Sequence, residues 1–166
     1  GLVFVSGGKS YYAAAWFGPL MAAGGIVVDG WLDRGRGAQP AEVTVKCRIG
    51  VDDQDPEVVL PDFLARIAAA GVNRVTIHAR KAWLQGLSPK QNREVPPLRY
   101  ELVHQLKRAF PHLTIVINGG FHTLDQVGQQ LGAVDGVMVG REAYTNPWLL
   151  ARVDQRFFGD TPTTLS

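Results

Sequence analysis

"LTIVINGGFHTLDQVGQQLGAVDGVMVGRE", residues 113–142, changes character twice in one short run. A β-branched apolar stretch ends in Asn118-Gly119-Gly120, and Thr123 then stands as an N-cap before a segment that Gly132 closes. A second apolar stretch, "DGVMVG" (135–140), follows and runs into Arg141 and Glu142. Strand, helix, strand at this spacing predicts two parallel strands joined by a helical crossover.

The same alternation extends to both sides. Upstream, "VTVKCRI" (43–49) is a short β-branched run, and "PEVVLPDFLARIAAAG" (56–71) places Val59, Leu60, Phe63, Ile67 and Ala70 at helical spacing before Gly71. "NRVTIHA" (73–79) is the next strand, and "YELVHQLKRAF" (100–110) carries Leu102, Val103, Leu106 and Phe110 on one helical face. Downstream, "NPWLLARVDQRFF" (146–158) predicts one helix, with Asn146 as N-cap and Pro147 at the first turn, where its missing N–H costs nothing.

Four such units define an α/β chain with a parallel sheet, about half of a (β/α)₈ TIM barrel of roughly 250 residues. An open doubly wound sheet is the alternative. Polar groups at the C-terminal ends of the strands (Lys46, His78, Asn118, Arg141) and glycines after the last two favour the half-barrel, as its last four βα units. Residues 43–159 form this half-barrel, 160–166 are a tail, and 1–42 show no clear period or clean caps.

The totals set limits. At 166 residues, 46% hydrophobic and 19% charged, the chain has ordinary globular composition. A net charge of +2 gives no bulk argument for nucleic acid, so only local clusters of cations could. Cys47 is the only cysteine, which excludes an internal disulfide or thiolate cluster and suits a reducing, cytoplasmic setting. The scattered histidines, His78, His104, His112 and His122, make no metal-ligand spacing. Glycines, Pro19 and Asp29 interrupt the apolar stretch 11–31, so no membrane span is expected, and no signal peptide is legible at the start.

One segment breaks the alternation. Residues 79–99 run from strand to helix without any period and carry Arg80, Lys81, Lys90 and Arg93. Loops this long without secondary structure are uncommon in compact domains and tend to be binding loops, lids or disordered linkers. A solvated cationic loop is the plainer alternative.

The strand ends suggest chemistry. Asn118-Gly119-Gly120 is expected to open a helix whose free N–H groups form an anion site, with the glycines letting a phosphate approach the backbone. Gly140-Arg141-Glu142 repeats the arrangement one unit later, and Arg141 can grip phosphate oxygens with two donors. Together they point to a mononucleotide phosphate site. Lys46 reads either as a lysine reaching solvent or as a cation facing a ligand, and His78 either as a satisfied core histidine or as a donor to a cofactor. Cys47 faces away from Lys46 and reads as an inert thiol.

The stretches "VTVKCRIGVDDQD", "IHARKAWLQGLSPKQNREVPPL", "INGG" and "DGVMVGREAYTNPWLL" together closely resemble the tRNA-dihydrouridine synthases of the A-type bacterial subfamily, over residues 43–159 without a gap. The resemblance implies FMN at the mouth of a (β/α)₈ barrel, NADPH as reductant, and reduction of D-loop uridines in tRNA. It implies that Lys46 and His78 contact the flavin, that Asn118, Gly119, Gly120, Gly140 and Arg141 hold its phosphate, and that Arg80, Lys81, Lys90 and Arg93 face tRNA. The family's proton donor is a cysteine in a Gly-x-Cys-Leu-Met run. Here the corresponding "FGPLMAA" (17–23) has Gly18, Pro19 and Leu20 and no cysteine, so no catalytic residue is assigned.

The reading is therefore of a chain truncated or frame-shifted upstream and inactive by itself, which self-associates through open sheet edges. A non-catalytic flavin- or tRNA-binding fragment is the second reading. Another FMN barrel, such as a dihydroorotate dehydrogenase relative, is the third.

Overall fold

The computed structural model describes residues 43–159. The expectations for 1–42 and 160–166, including the cysteine-free run around Pro19, lie outside the described residues. In chain order the elements are β1 (Thr44–Arg48), α1 (Pro56–Ala69), β2 (Arg74–His78), α2 (Gln91–Glu94), α3 (Tyr100–Ala109), β3 (Thr114–Asn118), α4 (Leu124–Leu131), β4 (Gly136–Met138), α5 (Arg141–Thr145), a 3-10 segment (Pro147–Arg152) and α6 (Val153–Phe157).

Local chemistry sets several of these ends, those at Gly71, Thr123 and Gly132 as the sequence predicts. Asp55 caps α1 through its carboxylate, which accepts from the Glu57 N–H at 3.0 Å, with Pro56 at the first turn. Thr123 and Gln126 cap α4 reciprocally, and Gly132 ends it. Gly71, at φ +90°, turns the chain out of α1 in a conformation that other residues adopt only with strain.

All four strands are parallel and lie in the order β1-β2-β3-β4. This sequential order decides between the two candidate architectures. A doubly wound sheet reverses direction at a switch point and carries helices on both faces, whereas a barrel winds one way and keeps its helices outside. Ile49, Val75, Ile77, Ile115 and Ile117 are fully buried in one cluster with Leu60 and Leu64 of α1 and Leu102, Val103 and Leu106 of α3. Side chains alternate along a strand, so the opposite face is set as well. It carries Lys46, Arg48, Thr76, His78, Val116 and Asn118. The chain is thus a half-barrel with an apolar outer layer and a polar inner face.

Two expectations need correction. The helix predicted over 146–158 is broken into the 3-10 segment and α6, and Asn146 makes no side-chain cap at the start of the 3-10 segment. The reason is local: α5 already runs up to Asn146, whose φ of −137° leaves the helical region, and Pro147 then restarts the chain. The second correction concerns 79–99, which is ordered by α2, by a parallel bridge between Val51 and Ala82, and by side-chain clamps described below.

Candidate functional site: a cationic strand-end row under a clamped loop

Strand register builds the site. Arg48, His78, Asn118 and Met138 are successive partners across the sheet, and Lys46, Thr76, Val116 and Gly136 form the layer beneath. Lys46 is exposed on the inner face, while Asn118 is only 6% exposed. Asn118 Nδ2 donates to the Met138 carbonyl at 2.7 Å, which ties the ends of β3 and β4 together beside Gly140.

His78 stands in the middle of this row. Burial, followed by the positive charges of Arg48, Lys46, Arg80 and Arg141, pushes its pKa down to about 3. The imidazole is therefore neutral at physiological pH, with one nitrogen donating and the other accepting. Its Nδ1 is buried and has no hydrogen-bond partner among the described residues. Buried polar atoms are almost always satisfied, so this nitrogen is open to a further partner. Cys47 lies on the helix side, packed against the core, and burial pushes its thiol up to about 12. A thiol so held is neither nucleophile nor ready proton donor at neutral pH.

The glycine pair does something other than expected. Gly119 and Gly120 adopt φ of +122° and +74°, and a Cβ on them would lie 2.9 Å and 2.6 Å from Leu98 methyls. Tyr100 donates its hydroxyl to the Gly119 carbonyl at 2.6 Å and stacks on Phe121 with ring centroids 5.3 Å apart. The space the glycines leave is filled by the end of the long loop. Nor does a helix open on them with free N–H groups. The helix begins at Leu124, where the Thr123 hydroxyl takes the Gln126 N–H, and the Gln126 side chain takes those of His122 and Thr123. After β4, Gly140 precedes α5 without a side-chain cap, and Arg141 pairs with Glu94 at 3.2 Å. His122 and Glu142, 2.9 Å apart, bridge the loops that follow β3 and β4.

The loop above the row is held from below. Arg48 Nη1 donates to the carbonyls of Lys81 at 2.7 Å and Asn92 at 2.9 Å. Asn92 accepts from the Trp83 N–H and donates to the Trp83 and Leu87 carbonyls, and Asp52 accepts from the Leu84 N–H. Arg80 turns inward, donating to the carbonyls of Glu94 and Pro96, so it braces the loop. Lys90 is exposed, Arg93 is half-buried on α2, and Lys81 Nζ lies 5.4 Å from the centre of the Trp83 ring.

The sequence reading passes over Arg48, Asp52 and Asn92. For Arg48 a signal exists: two residues from Lys46 on a strand, it must share Lys46's face. For Asn92, inside a stretch without period, there is none.

A one-way parallel βα sheet with a polar inner face and charged strand ends defines the class: half of a (β/α)₈ barrel, with its site at the C-terminal face. The chain belongs to the dihydrouridine synthase (Dus) family, whose model matches residues 28–165. It is 59% identical over 122 residues to the tRNA-dihydrouridine(20/20a) synthase of Vibrio cholerae, a match covering 72% of this chain and 37% of that protein. It is 50% identical over 150 residues to the protein of the same name from Shewanella oneidensis, covering 90% and 45% respectively. Against the Pseudomonas putida protein of that name the identity is 51% over 147 residues, covering 89% and 44%. The chain thus spans less than half the length of these relatives. Among the described residues no helix is long and apolar enough to cross a membrane, and no group of three or more metal-ligating side chains occurs.

Proposed function

We propose that this chain is the flavin-phosphate half of a barrel that reduces uridines in tRNA to dihydrouridine. The observation that supports this best is the strand-end row, with a neutral His78 whose buried Nδ1 lacks a partner among the described residues, set among Lys46, Arg48 and Arg141. These residues fit a flavin mononucleotide. A cationic inner face favours a group that gains negative charge on reduction, and an orphaned imidazole nitrogen suits a polar ring edge.

In this reading Lys46 and His78 hold the flavin ring, and Asn118, Gly140 and Arg141 hold the phosphate, with Gly119 and Gly120 shaping its bed. An FMN held by these residues and reduced by NADPH would supply hydride chemistry at the 5,6 double bond of uracil. The chain's own part is to bind and orient: His78 stays neutral, so it adds a hydrogen bond without adding charge. Cys47 is not the proton donor, since it faces the helices with its thiol held protonated. Lys81, Lys90 and Arg93 lie where a polyanionic substrate would pass, and a dihydroorotate-type small substrate needs no such surface.

The test is the visible absorption spectrum of the purified chain after incubation with FMN and desalting. Retained flavin bands, lost in His78→Ala and Arg141→Ala, are the expected result. A colourless parent protein would reject the cofactor assignment for this chain.

A further inference from the structure

We infer that a pocket beneath the long loop receives one unstacked nucleobase of a bound RNA; this rests on the tRNA-binding reading of the loop and names a subsite within it. The pocket has a volume of about 260 Å³ and is walled by Trp83, Leu84, Leu87 and Pro89, with Arg48 and Asn92 at its polar side. That falls just below the roughly 300 Å³ at which pockets for drug-sized ligands begin, a size for one base and its sugar. Apolar walls with a polar side match a base, which has apolar faces and hydrogen-bonding edges.

The pocket is held open by side-chain-to-backbone bonds from Arg48 and Asn92 at its polar side, not by its apolar walls. The Asn92 amide ties Trp83 to Leu87 across the loop, and Arg48 holds Lys81 and Asn92 from below. The Ala82 N–H donates to the Gly50 carbonyl, and the Asp52 N–H to that of Ala82, fixing the loop's first leg to the end of β1. A preformed cleft loses little on binding. Its walls are left in water: Trp83 is 36% exposed and Leu84 52%.

Charge chooses the occupant. Between Ala79 and Arg99 the loop carries Arg80, Lys81, Lys90, Arg93 and Arg99 against the single acid Glu94. Lys81 flanks the Trp83 ring and Arg48 lines the pocket itself, so cations stand at it. An apolar protein side chain would gain nothing from them, whereas a base arrives with a phosphate on either side. RNA is recognised largely through unstacked bases laid on aromatic rings.

The experiment measures affinity of the whole chain for unmodified tRNA by fluorescence anisotropy at several salt concentrations, with Trp83→Ala, Trp83→Phe and the pocket-filling Leu87→Trp. Thermal melting checks that each variant folds. Trp83→Ala and Leu87→Trp are expected to weaken binding by about 5- to 150-fold, the worth of one stacked base. Trp83→Phe should retain most of the affinity. The salt dependence should not change, because no cation is removed. In the parent, tRNA should quench tryptophan emission, and Trp83→Phe should remove that quenching; this readout stands even if the alanine variant fails to fold. Parent-like affinity in both pocket variants, or quenching unaltered in Trp83→Phe, overturns the subsite while leaving tRNA binding intact. A parent chain that does not bind tRNA removes the broader reading and this one with it.

Discussion

His78 is the residue on which most of the site converges, and its neutrality has a consequence for stability. Unfolded, the ring takes a proton near pH 6.5; folded, it resists until about pH 3. Between these values the unfolded chain binds the extra proton, so stability is complete above pH 6.5 and is lost as pH falls toward 3. The slope from this one group is at most about 1.4 kcal/mol per pH unit, reduced by water reaching the half-buried ring. Urea melts of the parent and His78→Phe at pH 7 and pH 4.5 should show a shallower pH dependence in the variant. Cys47 offers a cleaner measurement, since no other cysteine exists. A thiol pushed up to about 12 should react with a disulfide reagent at pH 8 far more slowly in the native protein than in denaturant. Equal rates would mean that the helix-facing side of β1 is open. Gly119→Ala and Gly120→Ala put a Cβ against Leu98 in a left-handed backbone, and each should lower stability by about 2 kcal/mol or more in denaturant melts.

At the scale of elements, the joints between strands and helices hold more than the elements themselves. Asp135, before β4, accepts from the Ile115 N–H of β3 and from Lys107 of α3, both at 2.8 Å. Burial alone would raise its pKa, but the Lys107 and Ile115 hydrogen bonds outweigh this and hold it below the usual carboxylate range. Its contribution is therefore present at neutral pH and fades as acid protonates it. Asp135→Ala should cost about 1–3 kcal/mol by leaving the Ile115 N–H unsatisfied, read from the midpoint of chemical denaturation. The long loop depends in the same way on Asn92. Asn92→Ala should leave the sheet intact but speed amide exchange at Trp83 and Leu84, and a loop unchanged by hydrogen exchange would refute the clamp. Such closure was not legible in residues 79–99, because side-chain-to-backbone bonds leave no period in a sequence. The breaks around Asn146 were missed for a related reason: N-cap chemistry was present, but a short helix already occupied the residues before it.

For the whole molecule, the consequence of a one-way four-stranded sheet is a pair of open edges. Among the described residues β1 and β4 have no outer partner strand, and parallel edges of this kind invite pairing. A second copy could supply the missing strands, but its inner face would bring a second set of Lys46, Arg48 and Arg74 into the same space. Sedimentation velocity across a tenfold concentration range is expected to show self-association that weakens at low salt, where these cations repel most. A monomer at every concentration would dismiss pairing through these edges.

What the sequence determined by itself was the order of elements, because alternating and helical periods are local properties: the βα units at 43–140 and the caps at Thr123 and Gly132 stand where their residues dictate. It also determined that cations gather in residues 79–99 and that Cys47 turns from Lys46. Only the tertiary structure decided which groups meet. Register aligned Arg48, His78 and Asn118, which are far apart in the chain, and Leu98 packed against Gly119 and Gly120 where a side chain would otherwise stand. Periodicity reports which way a side chain faces, while contacts at long sequence separation depend on how strands register and which loop reaches a gap first.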